Sequence, residues 1–147
     1  AVKRLNSRHI AQIVAINKSF EISQWHEEAC LDAMKAGYVF CGIEQRKQLI
    51  GFIVYHRLID VCQMMMVAVD SSQQRRGYDT MLLNNCILFA QRNHCKRIEC
   101  EVRSENDQAL SFYNSHGFLC VGSRKGYYLT KKGRVDASLM SLNIKSL

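Results

Sequence analysis

An apolar run at residues 64–70 is followed within a few residues by the basic segment Gln74-Arg75-Arg76-Gly77-Tyr78-Asp79-Thr80 and then by a periodic run at 81–92. The first run reads as a strand. In the second, Leu82, Leu83, Cys86, Ile87 and Ala90 recur near a 3.6-residue period and form the buried stripe of a helix. A loop joining the end of a strand to the start of a helix aims several free backbone N–H groups at one point, where the helix dipole also favours an anion. Residues 74–80 are therefore expected to cradle a phosphate. A further strand-like run at 97–102 completes a strand–helix–strand step, which requires those two strands to be parallel.

The remaining elements are read from the same periodicities. Residues 2–5 suggest a short strand, and Ile10, Ile13, Val14, Ile16 and Phe20 a helix. Trp25, Ala29, Cys30, Ala33 and Met34 continue as a second helix ended by Gly37. Strands are expected at 38–43 and 49–58 around a polar turn at 44–48, then at 62–69, 118–123 and 137–144, with a helix at 107–116. The class is α/β, more closely an α+β arrangement: a mostly antiparallel mixed sheet with one parallel step and four helices. A chain of 147 residues falls at the usual domain size, so residues 1–147 are expected to form a single domain.

No apolar run approaches the roughly 20 residues needed to cross a bilayer, and the stretch Ala1-Val2-Lys3-Arg4-Leu5-Asn6 lacks the apolar core of a signal peptide. The expectation is a cytoplasmic chain without membrane association. The seven cysteines include no C-x-x-C spacing and lie mostly in apolar runs, which favours free buried thiols over a disulfide framework. Five histidines give no H-x-x-x-H pair, and no metal is assigned. A formal charge of +7 and the basic stretch from Arg124 to Arg134 invite polyanions. There is, however, no helix-turn-helix, zinc-finger or aromatic RNA-binding pattern, so specific nucleic-acid recognition is not expected.

The segment Gln74–Thr80 resembles the Gln/Arg-x-x-Gly-x-Gly/Ala motif with which N-acetyltransferases of the GNAT superfamily hold the pyrophosphate of acetyl-coenzyme A. Asp79 stands where the second small residue belongs, and Ser71 where proline is expected. A second set of residues follows: Glu101-Val102-Arg103-Ser104-Glu105-Asn106, then Tyr113, Gly117-Phe118, Tyr127-Tyr128 and Gly133-Arg134-Val135-Asp136-Ala137. That order is similar to the RimI-type branch of the superfamily, which acetylates the N-terminal alanine of small-subunit ribosomal protein eighteen.

The resemblance implies the GNAT fold, acetyl-CoA as co-substrate and the N-terminus of a ribosomal protein as partner. Acetyl transfer from a thioester to a mostly protonated amine needs a base for the amine proton and an acid for the leaving thiolate. By resemblance Glu101 is the base, through a water, and Tyr113 the acid. Cofactor contacts fall to the backbone of Val67, Ala68 and Val69, to the loop Arg75, Arg76, Gly77, Tyr78, Asp79 and Thr80, and to Asn106. Each residue also has a structural reading: Glu101 as a solvated strand residue beside Glu99, Tyr113 as a core residue, Asn106 as a helix cap. Met64, Met65 and Met66 alternate across a strand, so some face the substrate side if the others pack the core. The alternatives are a silent, basic binding module on the same scaffold, engaging RNA or ribosomal protein, and a GNAT enzyme acting on another amine.

Overall fold

The computed structural model describes residues 1–20 and 25–145. Seven strands form one sheet: β1 (Val2–Arg4), β2 (Val39–Gln45), β3 (Gln48–Leu58), β4 (Val61–Val69), β5 (Arg97–Arg103), β6 (Leu119–Thr130) and β7 (Gly133–Asn143). Their spatial order is β1-β2-β3-β4-β5-β7-β6. Only the β4–β5 pairing is parallel, as the strand–helix–strand step requires. Among the described residues four α-helices accompany the strands: α1 (Ile10–Asn17), α2 (Glu27–Lys35), α3 (Tyr78–Arg92) and α4 (Asp107–Ser115).

Strand alternation divides the apolar residues between two cores. Phe40, Phe52, Val54 and Ala68 point to one face and pack with Ile13 and Ile16 of α1 and Cys30 and Ala33 of α2. Their chain neighbours Val39, Cys41, Ile53 and Tyr55 point to the other, against Leu82, Leu83, Cys86 and Ala90 of α3 and Tyr113 of α4. Both faces of β2 to β4 are covered, so these strands lack the polar alternation of a half-wet sheet. All seven cysteines are free; six are buried and Cys120 is exposed. Cys62 on β4 and Cys86 on α3 meet at 3.6 Å between sulfurs.

Several expected boundaries shift. The helix expected from residue 81 begins at Tyr78, because Gly77 adopts φ 82 and caps it from the left-handed region. Tyr78, Asp79 and Thr80 therefore belong to its first turn. The first helix ends at Asn17, short of Phe20, and Trp25 precedes the second helix as a buried residue against Phe40. The last two strands extend to a long hairpin, β6 running to Thr130 and β7 starting at Gly133. Most of β6 is exposed, so burial leaves no period for a sequence reading to follow.

Candidate active site

β4 and β5 pair over only three positions, from Val61↔Arg97 to Gln63↔Glu99. On the other side of β4 the register slips, since Val54 faces Met66 and its successor Tyr55 faces Met64, so the pairing steps over Met65. A bulge of this kind bends the strand that carries it. Beyond it β4 has no register partner on β5, and the parting opens a cleft of about 370 Å³. Val67, Val69, Arg75, Tyr78 and Asp79 line it from the β4–α3 side, and Glu101, Asn106 and Tyr113 from the β5–α4 side.

The side chains of the other expected contact residues do not line the cleft, and Ala68 is expected to act through its backbone alone. Ala68 turns its side chain into the α1/α2 core, as its neighbours' alternation demands. Arg76 and Gly77 are exposed and do not line the cleft. The Thr80 hydroxyl meets His116 Nε2 at 3.3 Å, away from the cleft. His116 Nδ1 lies 2.9 Å from the Phe112 carbonyl and 3.1 Å from Ser115 Oγ, which hold the ring in place.

At the start of α3 no side chain from Gly77 caps the first turn. Asp79 Oδ1 instead accepts the backbone N–H of Thr80 at 2.8 Å. The N–H groups of Tyr78 and Asp79 remain for an anion, with Arg75 beside them at φ 64. A Cβ at Gly77 would meet nothing within 4 Å, so glycine is needed there for its φ and not for space. Gln45 Nε2 donates to the Tyr78 hydroxyl at 2.6 Å and fixes this end of the helix to β2. This donor set and the long open cleft fit a diphosphate carried on a pantetheine arm, with one first-turn amide already occupied by the chain's own carboxylate.

On the opposite wall Asn106 serves both of its readings: it lines the cleft while its Oδ1 accepts the Ala109 N–H at 3.1 Å as the cap of α4. Tyr113 likewise is buried in the core and reaches the cleft. Burial pushes its phenol well up, with the neighbouring Cys100, Cys86, Tyr128 and Asp79 adding to the effect, so it is a neutral donor at ordinary pH. Burial, then the charge of Glu101, pushes the Cys100 thiol up to about 12.

Glu101 sits on β5 with its main-chain carbonyl accepting from the Tyr128 hydroxyl at 3.0 Å. Its Oε1 lies 3.3 Å from Arg124 Nε. The Tyr127 hydroxyl turns toward the same carboxylate, and that approach, followed by burial, pushes its phenol up. Oε2 is nevertheless buried without a well-formed hydrogen bond. An acceptor held this way favours a donor entering the cleft. Phe20, Gln73 and Tyr128 also line the cleft and were given no role from sequence. Tyr128 stood within the Tyr-Tyr pair, whereas Phe20, just past α1, carried no distinguishing signal.

The acetyltransferase (GNAT) family model matches residues 10–118. A [ribosomal protein bS18]-alanine N-acetyltransferase of Haemophilus ducreyi is 31% identical over 133 residues, covering 86% of this chain and 92% of that protein. The enzyme of the same name from Escherichia coli strain K12 is 29% identical over 120 residues, covering 82% of this chain and 81% of the relative. The crystal structure of the Escherichia coli ribosomal-protein-S18-alanine N-acetyltransferase superposes with a TM-score of 0.90 at 26% identity, covering 100% of this chain and 94% of that one. Family match, sheet order and a parted β4–β5 cleft agree, and the chain belongs to the GNAT acetyltransferase family, with acetyl-CoA as its co-substrate.

Proposed function

We propose that this protein acetylates the α-amine of an N-terminal alanine, with ribosomal protein bS18 as the acceptor in the cytoplasm. One observation carries the reading: Glu101 and Tyr113 reach the same cleft from different elements at the parting of β4 and β5. The names of the similar proteins from Haemophilus ducreyi and Escherichia coli point to the same acceptor.

In this reading, Val67 to Val69 offer backbone groups unused by β5 to the pantetheine arm, in the manner of an added strand. Arg75 and the Tyr78 and Asp79 N–H groups hold the diphosphate, and Asn106 borders the arm. Acetyl-CoA supplies an acetyl group activated as a thioester. Glu101 takes the proton of the acceptor ammonium through a water, freeing the lone pair that forms the new C–N bond. Tyr113, kept neutral by burial, gives its proton to the sulfur as the C–S bond breaks.

The test is a peptide beginning with alanine, incubated with acetyl-CoA while thiol release and peptide mass are followed. A gain of one acetyl group at the α-amine, absent when that amine is blocked, is expected. Cofactor binding without transfer to any alanine peptide would overturn the alanine reading, with transfer to another amine pointing to a different acceptor and transfer to none to the silent binding module.

A further inference from the structure

Arg124 lies 23 residues beyond Glu101 in sequence yet sits directly against it, and the local structure of β6 brings this about. Across the sheet Arg103, Ala137 and Arg124 are in register, so Arg124 shares a face with Glu101 two residues back along β5. Between Arg124 and Tyr128 the β6 register slips. Gly126 at φ 62 makes the turn of that bulge, its N–H donating to Asp136 Oδ1 at 2.8 Å and its carbonyl accepting from Arg134 Nη1 at 3.3 Å. The slip lets Arg124 and Tyr127 converge on one carboxylate, the guanidinium lying 5.6 Å from the centre of the Tyr127 ring.

We propose that Arg124 is an exchangeable counter-ion: its guanidinium occupies the cationic position beside Glu101 in the free protein and yields it to the acceptor's α-ammonium together with the water that joins the two. The inference rests on the acyl-acceptor reading of the cleft given above. Charge and geometry argue for exchange over simultaneous binding. The carboxylate has one oxygen facing Arg124 and the other buried, while Arg103 on the same face is paired with Glu105 at 3.5 Å, so an incoming ammonium adds a second positive charge beside the Arg124 guanidinium. Their mutual repulsion is relieved when the most exposed cation leaves. Arg124 is that group. It is 56% exposed against 23% for Arg103, and the Tyr127 ring that it already faces at 5.6 Å is a contact it can keep when it leaves the carboxylate.

The exchange also gives the site a direction. An acetylated N-terminus is a neutral amide and cannot compete with a guanidinium for Glu101, so Arg124 regains its position as the product leaves. Arg124 acts through Glu101 and is a positioning residue.

Arg124→Met keeps the apolar stem and removes the charge. The expected result is a fall in acceptor KM of about three- to fivefold, the size of a half-exposed ion pair lost from the competition. Turnover and acetyl-CoA KM should stay within about twofold of the parent, and Arg124→Lys should restore the parent KM. A lower kcat at unchanged KM, or a higher acceptor KM, would overturn the exchange. A second readout does not depend on turnover: the 15N signal of the Arg124 Nε–H, identified by its loss in Arg124→Met, should move toward a solvent-like position when a short alanine peptide is added. The N-acetylated form of that peptide should leave it in place. Displacement without acetyl transfer would sustain the counter-ion and remove the transferase reading, whereas transfer without displacement would do the reverse.

Discussion

Asp79 accepts a hydrogen bond from the backbone of its own successor, Thr80, at 2.8 Å, and so places a carboxylate in the first turn of the helix that faces the cleft. The arrangement stabilises the empty helix start by about 0.3–1 kcal/mol. Toward a diphosphate it acts in the opposite sense. At about 5 Å and an effective dielectric near 20 a like charge is repelled by roughly 3 kcal/mol before screening, and the Thr80 amide is no longer available.

Asp79→Gly should therefore tighten coenzyme A binding by about ten- to a hundredfold, while slightly lowering the stability of the free protein. Asp79→Asn, which keeps the hydrogen bond and removes the charge, should recover most of that gain. Calorimetry at low and moderate salt checks both, with equal affinities for all three proteins as the contrary outcome.

Acetyl-CoA should raise the melting temperature of the parent protein. At 100 times its dissociation constant a ligand adds about 2.7 kcal/mol, which for a chain of this size is roughly 5–10 °C. Thermal unfolding with and without millimolar cofactor measures it.

Glu101→Gln and Tyr113→Phe preserve shape and remove proton transfer. Each should lower turnover by on the order of a hundredfold or more while leaving cofactor affinity nearly unchanged. A rate for Glu101→Gln equal to that of the parent across neutral pH would exclude Glu101 as the base.

Stability should decline on the alkaline side. Burial raises Cys30 from 9.0 to about 11, Cys100 from 9.0 to about 12 and Tyr128 from 10.0 to about 12. Above pH 9 the unfolded chain begins to release these protons while the folded one keeps them, so the folded state binds more protons and loses stability as pH rises. The melting temperature should hold to about pH 9 and fall through pH 11, with a shallower fall in Cys100→Ala.

The single parallel step and the β2–β3 hairpin were legible because the strand–helix–strand run and the polar turn each leave a local mark, whereas the place of β7 between β5 and β6 leaves none. The turn itself departs from the usual glycine solution: Arg46 and Lys47 take φ 52 and φ 66 between β2 and β3. The residues of β4, β5 and α4 that line the cleft were singled out by their resemblance to the family's motifs, since burial pattern and residue type alone read Glu101 as a strand residue, Tyr113 as core and Asn106 as a cap. What escaped was long-range or unpatterned. No spacing signals that Arg124 returns to Glu101, because β7 intervenes between their strands. Nothing in Thr80 announces that His116 will take its hydroxyl. The outer hairpin was cut short because Leu119, Val121 and Leu129 are 69%, 60% and 70% exposed, and apolar residues in water carry no period.

The distribution of thiols gives this chain a built-in reporter. Six cysteines are sealed in the two cores and one, Cys120, stands on the outermost strand. An alkylating reagent should thus count one reactive sulfur in the native molecule and seven in the unfolded one. Cys120 can carry a fluorophore or a surface tether without a single engineered substitution. The slow acquisition of further labels would time the opening of the two halves separately, since Cys30 belongs to the α1/α2 side and Cys86 to the α3 side.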